Sequence, residues 1–340
     1  MSALSNLLIP AVLFFALGFI ARLVKSDLRF PPDLAKILSI YLLVSIGLHG
    51  GVELAKADLG EAIAAVVWAL ALGFLLPLIG FGLLLATRRV APLDAAAIAA
   101  HYGSVSAGTF LTAIAFLGSQ GVDYERYPLI MLAIMESPAI VVGILLASWT
   151  RRRIAAANPG GSTARSDSGN GNGGSHLGDL LREAFTNGSV VLLLGSMLIG
   201  AIANPTAMKS LDPFTTDIFM GMLCLFLLEM GLEAGRRFGD FRRVGLALGA
   251  FGLVMPLIGG AIGVLVGHYM LGFSIGGTTL VGVLGASASY IAVPPAMRLA
   301  IPEANPSLYL TLSLGVTFPF NVVIGIPIYY QLARMLAGGA

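Results

Sequence analysis

The chain has 340 residues, of which 57% are hydrophobic and only 11% charged, with a formal net charge of +2 and a mean hydropathy of +0.89. Soluble domains carry about 25% charged residues, so a chain this poor in charge cannot cover a water-facing surface, and lipid must solvate most of it. A single cysteine, Cys224, excludes an intramolecular disulfide or a thiolate metal cluster, and basic residues confined to the ends of apolar runs leave no face for nucleic acid.

Windows of about 20 apolar residues, the length that crosses ~30 Å of hydrocarbon, predict ten spanning helices: 4–24, 34–54, 61–86, 93–118, 127–149, 187–204, 214–234, 244–270, 274–300 and 307–336. The first is a span and not a cleavable signal, because Arg22, Lys25 and Arg29 follow it and no basic residue precedes it. Residues 155–178, AAANPGGSTARSDSGNGNGGSH at their core, lack large apolar side chains and read as a flexible linker. The linker, set at 155–180, divides the chain into a first unit, 1–154, and a second, 181–340, with five spans each. With the N-terminus outside, sixteen of the 20 Lys and Arg fall on the cytoplasmic side, and only Lys56, Arg126, Lys209 and Arg334 on the outer side. That bias predicts a multi-pass plasma-membrane protein with both termini outside and the linker cytoplasmic.

The units repeat each other. SIGLHGGVEL (45–54) resembles EMGLEAGRRF (229–238), and LPLIG (76–80) resembles MPLIG (255–259). YGSVSAG (102–108) falls where GASASYI (285–291) does, and SPAIVVGI (137–144) resembles FPFNVVIGI (318–326). An odd number of spans per unit places the repeats in opposite orientations, the architecture of secondary transporters with a site near the midplane. The expected fold is therefore all-α, ten transmembrane helices in two inverted five-helix repeats.

Two stretches are poor continuous helices. HYGSVSAGTFLTA (101–113) concentrates glycine and hydroxyls where bilayer centre is expected, and in GASASYIAVPPAMR (285–298) Pro294 and Pro295 remove two backbone donors. Helices 4 and 9 should break there and restart, each restart presenting unpaired N–H groups and about half a positive charge. Two such ends facing one pocket make an anion site without a cationic side chain. The candidate substrate-binding residues are Ser104, Val105, Ser106, Ala107, Ser287, Ala288 and Ser289. Glu136, a carboxylate deep in the fifth span, is costly unless it meets an ion; its repeat counterpart TFPFN supplies Thr317 and Asn321. With Gly103, Thr109 and Ser289 these form the candidate cation-binding set. The alternative is that small and hydroxyl residues only let helices pack closely. His101 precedes the first break as one histidine on an apolar helix, more in keeping with a core residue than a proton carrier. Glu229 and Glu233 are placed to pair with Arg236 and Arg237. No nucleophile–base pair or metal triad is present, so the chain is not read as an enzyme, and the linker is too short and polar to be a receptor's output domain.

The runs IGLHGG, GSVSAGT, MGLEA and above all VPPAMRLAIPEANPSLYL (293–310) resemble the sodium-dependent bicarbonate permease family, best described in cyanobacteria, over almost the whole chain. The resemblance implies bicarbonate:sodium symport with sodium as coupling ion and no cofactor, a homotrimer, a core domain rocking against a gate domain, and inhibition by a cytoplasmic PII-like protein. In the family's ninth span an acidic residue precedes the paired prolines; here that position is Tyr290. The competing reading is a sodium- or proton-coupled carrier of another small organic anion.

Overall fold

The computed structural model describes residues 9–31, 33–55, 58–157, 188–238 and 241–338. Every regular element among them is helical. In chain order the principal helices are α1 (Pro10–Leu23), α2 (Leu34–Leu54), α3 (Leu59–Thr87), α4 (Pro92–Gly103), α5 (Ala107–Ser119) and α6 (Tyr127–Ala157). These are followed by α7 (Gly188–Ile202), α8 (Phe219–Phe238), α9 (Phe241–Leu265), α10 (Ile275–Ala286), α11 (Val293–Ala300) and α12 (Pro306–Ala337). The run α12 is continuous but contains π-helical turns at Thr311–Thr317 and Asn321–Gly325. Among the described residues six helical stretches are long and apolar enough to cross a membrane, and the chain is an all-α membrane protein.

Lipid is visible as a solvent in the pattern of exposure. In α3 the large side chains Ile63, Val67, Leu70, Phe74 and Leu78 are exposed at helical spacing, and only 33% of its apolar window is buried. Such a stripe would be expelled from water but is at home against acyl chains. The same helix begins on Asp58, whose carboxylate accepts from the N–H of Gly60 at 2.7 Å and Glu61 at 3.2 Å, a cap that satisfies two otherwise orphaned donors.

The helices fall into two packing groups. In the first, α1 lies against α8 and α2 against α7; in the second, α3, α4 and α6 pack together with α11 against α6, and α9, α10 and α12 pack together with α5 against α10. Glycine sets the first group's crossings. A side chain at Gly18 would strike the Leu228 carbonyl and one at Gly231 the Phe15 carbonyl; likewise Gly51 meets Met197 and Gly200 meets Leu48. Close backbone approach of this kind substitutes packing for a hydrophobic drive that lipid does not supply.

Helix α6 runs on to Ala157, three residues into the stretch expected to be linker; 158–180 lies outside the described residues. At the ends of the second group, the IPEANPS run acts as a brace. Glu303 receives Arg151 at 2.7 Å, the same guanidinium donates to the Ala300 carbonyl at 3.0 Å, and the Asn305 N–H donates to Asp94 at 2.7 Å. The Asn305 side chain then caps α12, accepting from the Ser307 N–H at 2.9 Å. This brace ties the start of α4, the end of α6, the end of α11 and the start of α12 into one corner. The Arg151 guanidinium holds the Glu303 carboxyl below the usual carboxylate range. Near the end of α8, Glu233 alone pairs with both Arg236 at 3.0 Å and Arg237 at 3.1 Å. Glu229 is buried with one carboxylate oxygen unbonded, so the expected second pair does not form.

Candidate functional site

Both expected interruptions are present. The first separates α4 from α5: Ser104 (φ −92°, ψ −178°) and Ser106 (φ −119°, ψ 109°) are extended. Ser106 caps α5, its hydroxyl accepting from the Thr109 N–H at 3.2 Å and the Thr109 hydroxyl at 3.0 Å. The N–H groups of Ala107 and Gly108, in the first turn, have no bonded partner among the described residues. The second interruption runs from Ser287 (φ −83°, ψ 163°) to Ala292, after which α11 restarts.

The donor chemistry of the two restarts differs from the sequence expectation. Val293 opens α11 with its N–H given to the Ser289 hydroxyl at 3.3 Å, and Pro294 and Pro295 carry no N–H at all. Helix α11 thus contributes a dipole to the centre but no free amide from its first three residues, whereas the N–H groups of Tyr290, Ile291 and Ala292, in the unwound stretch before it, have no bonded partner among the described residues.

The breaks are bonded to one another. The Ser289 N–H donates to the His101 carbonyl at 2.8 Å, satisfying an acceptor in the last turn of α4, and the Ser106 N–H donates to the Ser287 hydroxyl at 3.1 Å. That hydroxyl donates in turn to the Leu284 carbonyl at 2.9 Å. Asn321 closes the end of α10 from α12: its amide donates to the Ala286 carbonyl at 2.8 Å, while its oxygen accepts from the Tyr329 hydroxyl at 3.0 Å.

A small cavity collects residues from both breaks: Val105, Ser106 and Ala107 from the first, Ser289, Tyr290, Ile291 and Ala292 from the second, with Glu136 of α6 and Ser39 of α2. Ser39 belongs to the first packing group and the rest to the second, so the cavity lies between the groups. Its volume, about 10 Å³, suits roughly one water-sized species. Glu136 is 9% exposed and one of its oxygens has no hydrogen-bond partner. The Ser104 and Ser137 hydroxyls are buried and also unpartnered. Buried polar atoms left in this state are expensive unless a ligand or water meets them.

Of the substrate-binding candidates, Val105, Ser106, Ala107 and Ser289 line this cavity, whereas Ser104, Ser287 and Ala288 are buried behind it. Of the cation candidates, Glu136 and Ser289 line it. Gly103 backs onto the Pro77 ring, where any side chain would collide, and Thr109 serves the cap. Thr317 lies elsewhere, donating to the Gly252 carbonyl at 2.7 Å and hydrogen-bonded to the Tyr102 hydroxyl at 2.6 Å. Asn321 is likewise occupied with α10. Ser39 was missed by sequence reasoning; a lone hydroxyl between Leu38 and Ile40 in an apolar run was the available signal. Tyr290 occupies the wall with its hydroxyl beside Gly108, and a side chain at 108 would overlap both it and the Phe226 ring. Absence of a Cβ there makes room for the phenol at the start of α5.

His101 is fully buried, its Nδ1 bonded to the Ala97 carbonyl at 2.7 Å and its ring stacked on Tyr309 with centroids 4.3 Å apart. It lies outside the cavity lining. Among the described residues no group of three His, Cys, Asp or Glu is placed to hold a metal ion.

Compared with curated proteins, the chain matches none. A family profile described as the Na+-dependent bicarbonate transporter superfamily matches residues 10–334. The match covers nearly the whole length, including both breaks, Glu136 and the IPEANPS brace, so this chain belongs to the Na+-dependent bicarbonate transporter superfamily, a family of membrane transporters and not of enzymes.

Proposed function

We propose that the protein is a secondary active symporter that carries bicarbonate together with sodium by alternating access. The observation that carries this reading is the cavity in which the two helix breaks meet Glu136. The start of α5 supplies unpaired N–H groups and the positive end of a helix dipole for an oxyanion. The Glu136 carboxylate and the hydroxyl oxygen of Ser289 supply hard ligands for sodium. Neither ion is cheap to desolvate alone. Bound side by side, each lowers the other's cost, and the sodium gradient then drives the anion.

Several features support the wider architecture. The glycines of α2 and α8 are repeat mates: Gly47 corresponds to Gly231 and Gly51 to Gly235, both at an offset of 184, with Gly47 and Gly51 against the Leu193 and Met197 carbonyls of α7 and Gly231 and Gly235 against the Phe15 and Phe19 carbonyls of α1. The α1–α8 and α2–α7 crossings are thus equivalent under an inverted repeat of ten spans. A cavity at the boundary between packing groups is where relative rocking would expose ions first to one side and then to the other. At about 10 Å³ it must widen to admit an anion with a cation, which calls for such movement. The charge bias supports an orientation with both termini outside a plasma membrane and the linker cytoplasmic. Trimeric assembly and control by a PII-like protein rest on family resemblance alone.

The test is uptake of labelled bicarbonate into proteoliposomes, with and without an inward sodium gradient. Accumulation that collapses when a sodium ionophore is added is expected. Uptake indifferent to sodium would overturn the coupling, and counterflow by pyruvate or acetate but not bicarbonate would favour an organic-anion carrier.

A further inference from the structure

A second cavity, about 220 Å³, opens between the two packing groups away from the breaks. Its walls come from α2 (Ser45, His49), α5 (Ile114), the segment before α6 (Tyr124, Arg126), α6 (Leu129) and the turn before α8 (Thr216). Three helices line both cavities. From Ala107 to Ile114 along α5, and from Glu136 to Leu129 along α6, the separation is seven residues, about 10 Å of helix rise. From Ser39 to Ser45 on α2 it is six, about 9 Å. The second cavity therefore sits one step along the same seam, at the end where the α6 helix begins.

Its chemistry suits an anion. Arg126 is the only Arg, Lys, Asp or Glu on the wall among the described residues. Its guanidinium rests over the Tyr124 ring, 4.4 Å from the centroid, and no carboxylate among the described residues forms an ion pair with it. Adjacent Glu125 is engaged elsewhere, accepting from the Ser274 N–H at 2.7 Å and its hydroxyl at 3.0 Å. His49 is held in place by contacts from Nδ1 to the Ser45 carbonyl at 3.1 Å and from Nε2 to the Thr216 hydroxyl at 3.2 Å. Ser45 is 1% exposed and lines the cavity, and its hydroxyl has no hydrogen-bond partner among the described residues. A buried donor left idle on the same cavity wall as a guanidinium with no carboxylate partner among the described residues is an observation independent of the charge, and it points to a ligand that accepts hydrogen bonds.

We infer that this crevice is a separate docking site for a small monovalent oxyanion, in which Arg126 and Ser45 hold the ion before it reaches the breaks. Its part in transport rests on the proposed function; its binding does not. A guanidinium on a low-dielectric wall concentrates anions at the mouth of the seam and raises their capture rate, while the separate central cavity leaves translocation unchanged in kind.

The test uses the full chain in vesicles of phosphatidylcholine alone and in vesicles containing phosphatidylglycerol, with titration of the purified chain in neutral detergent by sodium nitrate as the binding probe. For Arg126→Gln, the KM for bicarbonate should rise about tenfold, as for the loss of one charge-assisted contact, with kcat changed less than about twofold, and the nitrate response should shrink. Arg126→Lys should restore most of the KM, and Ser45→Ala should raise it less, about threefold. These two variants read the site if Arg126→Gln fails to fold. Unchanged KM and an unchanged nitrate titration overturn the site. An effect confined to vesicles with phosphatidylglycerol also overturns it, because the occupant is then a lipid phosphate. A wild-type chain that binds nitrate through Arg126 yet shows no sodium-driven uptake refutes the proposed function and leaves this site standing.

Discussion

Between α4 and α5 the chain is unwound over residues 104–106 and restarts on a serine cap; between α10 and α11 it is unwound over 287–292 and restarts on two prolines. The backbone paths correspond, but the free donors do not. Ser106 engages only one of the first amides of α5 through Thr109, leaving those of Ala107 and Gly108 free at the cavity end. In the first turn of α11 the one available N–H is taken by Ser289 and the next two positions cannot donate, so the unbonded N–H groups of that break belong to the unwound residues Tyr290, Ile291 and Ala292. The two breaks thus follow similar paths yet differ in the amides that their restarted helices leave free, and in the transport proposed above one faces the anion while the other adds oxygen ligands to those of Glu136 for the cation.

The harshest way to break that division is to remove its only carboxylate. Glu136→Gln should lower sodium-driven uptake about a hundredfold, equivalent to roughly 2.8 kcal/mol of lost ion binding; a packing role alone would leave the sodium dependence of the rate as it was. Next in size is Gly108→Ala, whose new methyl overlaps the Tyr290 hydroxyl and Phe226. Overpacking of this sort costs about 1–3 kcal/mol, so uptake should fall about tenfold. Tyr290→Phe in the same chain should recover part of the loss, and a double variant no better than Gly108→Ala would argue against that overlap as the cause.

Serine substitutions sharpen the comparison. Ser106→Ala removes a helix cap worth about 1 kcal/mol and should raise the anion KM more than the sodium KM. Ser289→Ala should do the reverse. Equal shifts in both constants for both variants would show that the breaks do not divide the ions. The smallest effect belongs to the brace: Glu303→Gln loses a half-exposed ion pair worth under about 1 kcal/mol. The carboxyl of Glu303 is held low by Arg151, so its stabilisation is complete above the unfolded carboxylate pKa and disappears as pH falls through the lower folded value. Thermal unfolding in detergent should show that acid-side loss in the wild type and not in Glu303→Gln.

The positions of both breaks were legible in the sequence, because paired prolines and a dense Gly–Ser run conflict with helix in a way apolar periodicity cannot hide. Glu136 was legible for the same reason, as a lone carboxylate in an apolar span. The expectation that both restarts donate from the helix itself is met at α5 alone, for a reason equally present in the sequence: Pro294 and Pro295 favour a helix start and leave its unbonded N–H groups to the unwound residues before it. Thr317 and Asn321 occupy the repeat positions of the Glu136 region yet lie outside the cavity lining. The π-helical turns at Thr311–Thr317 and Asn321–Gly325 insert extra residues per turn and rotate the face that α12 presents. No periodicity in the sequence announced them. Ser39 left only the signal of a hydroxyl in an apolar run, too little to place it, because the packing partner of α2 is decided by glycine crossings with the distant helix α7.

The central claim is that both breaks border one ion-binding cavity. The most direct measurement is substrate protection in a Cys224→Ser background, with Ala107→Cys and Ser289→Cys made separately and alkylation by a small thiol reagent followed in proteoliposomes. The account predicts that bicarbonate with sodium slows labelling at both positions, and that either ion alone protects less than the pair. Labelling at 107 and 289 that ignores both ions, or protection at one position without the other, would contradict it.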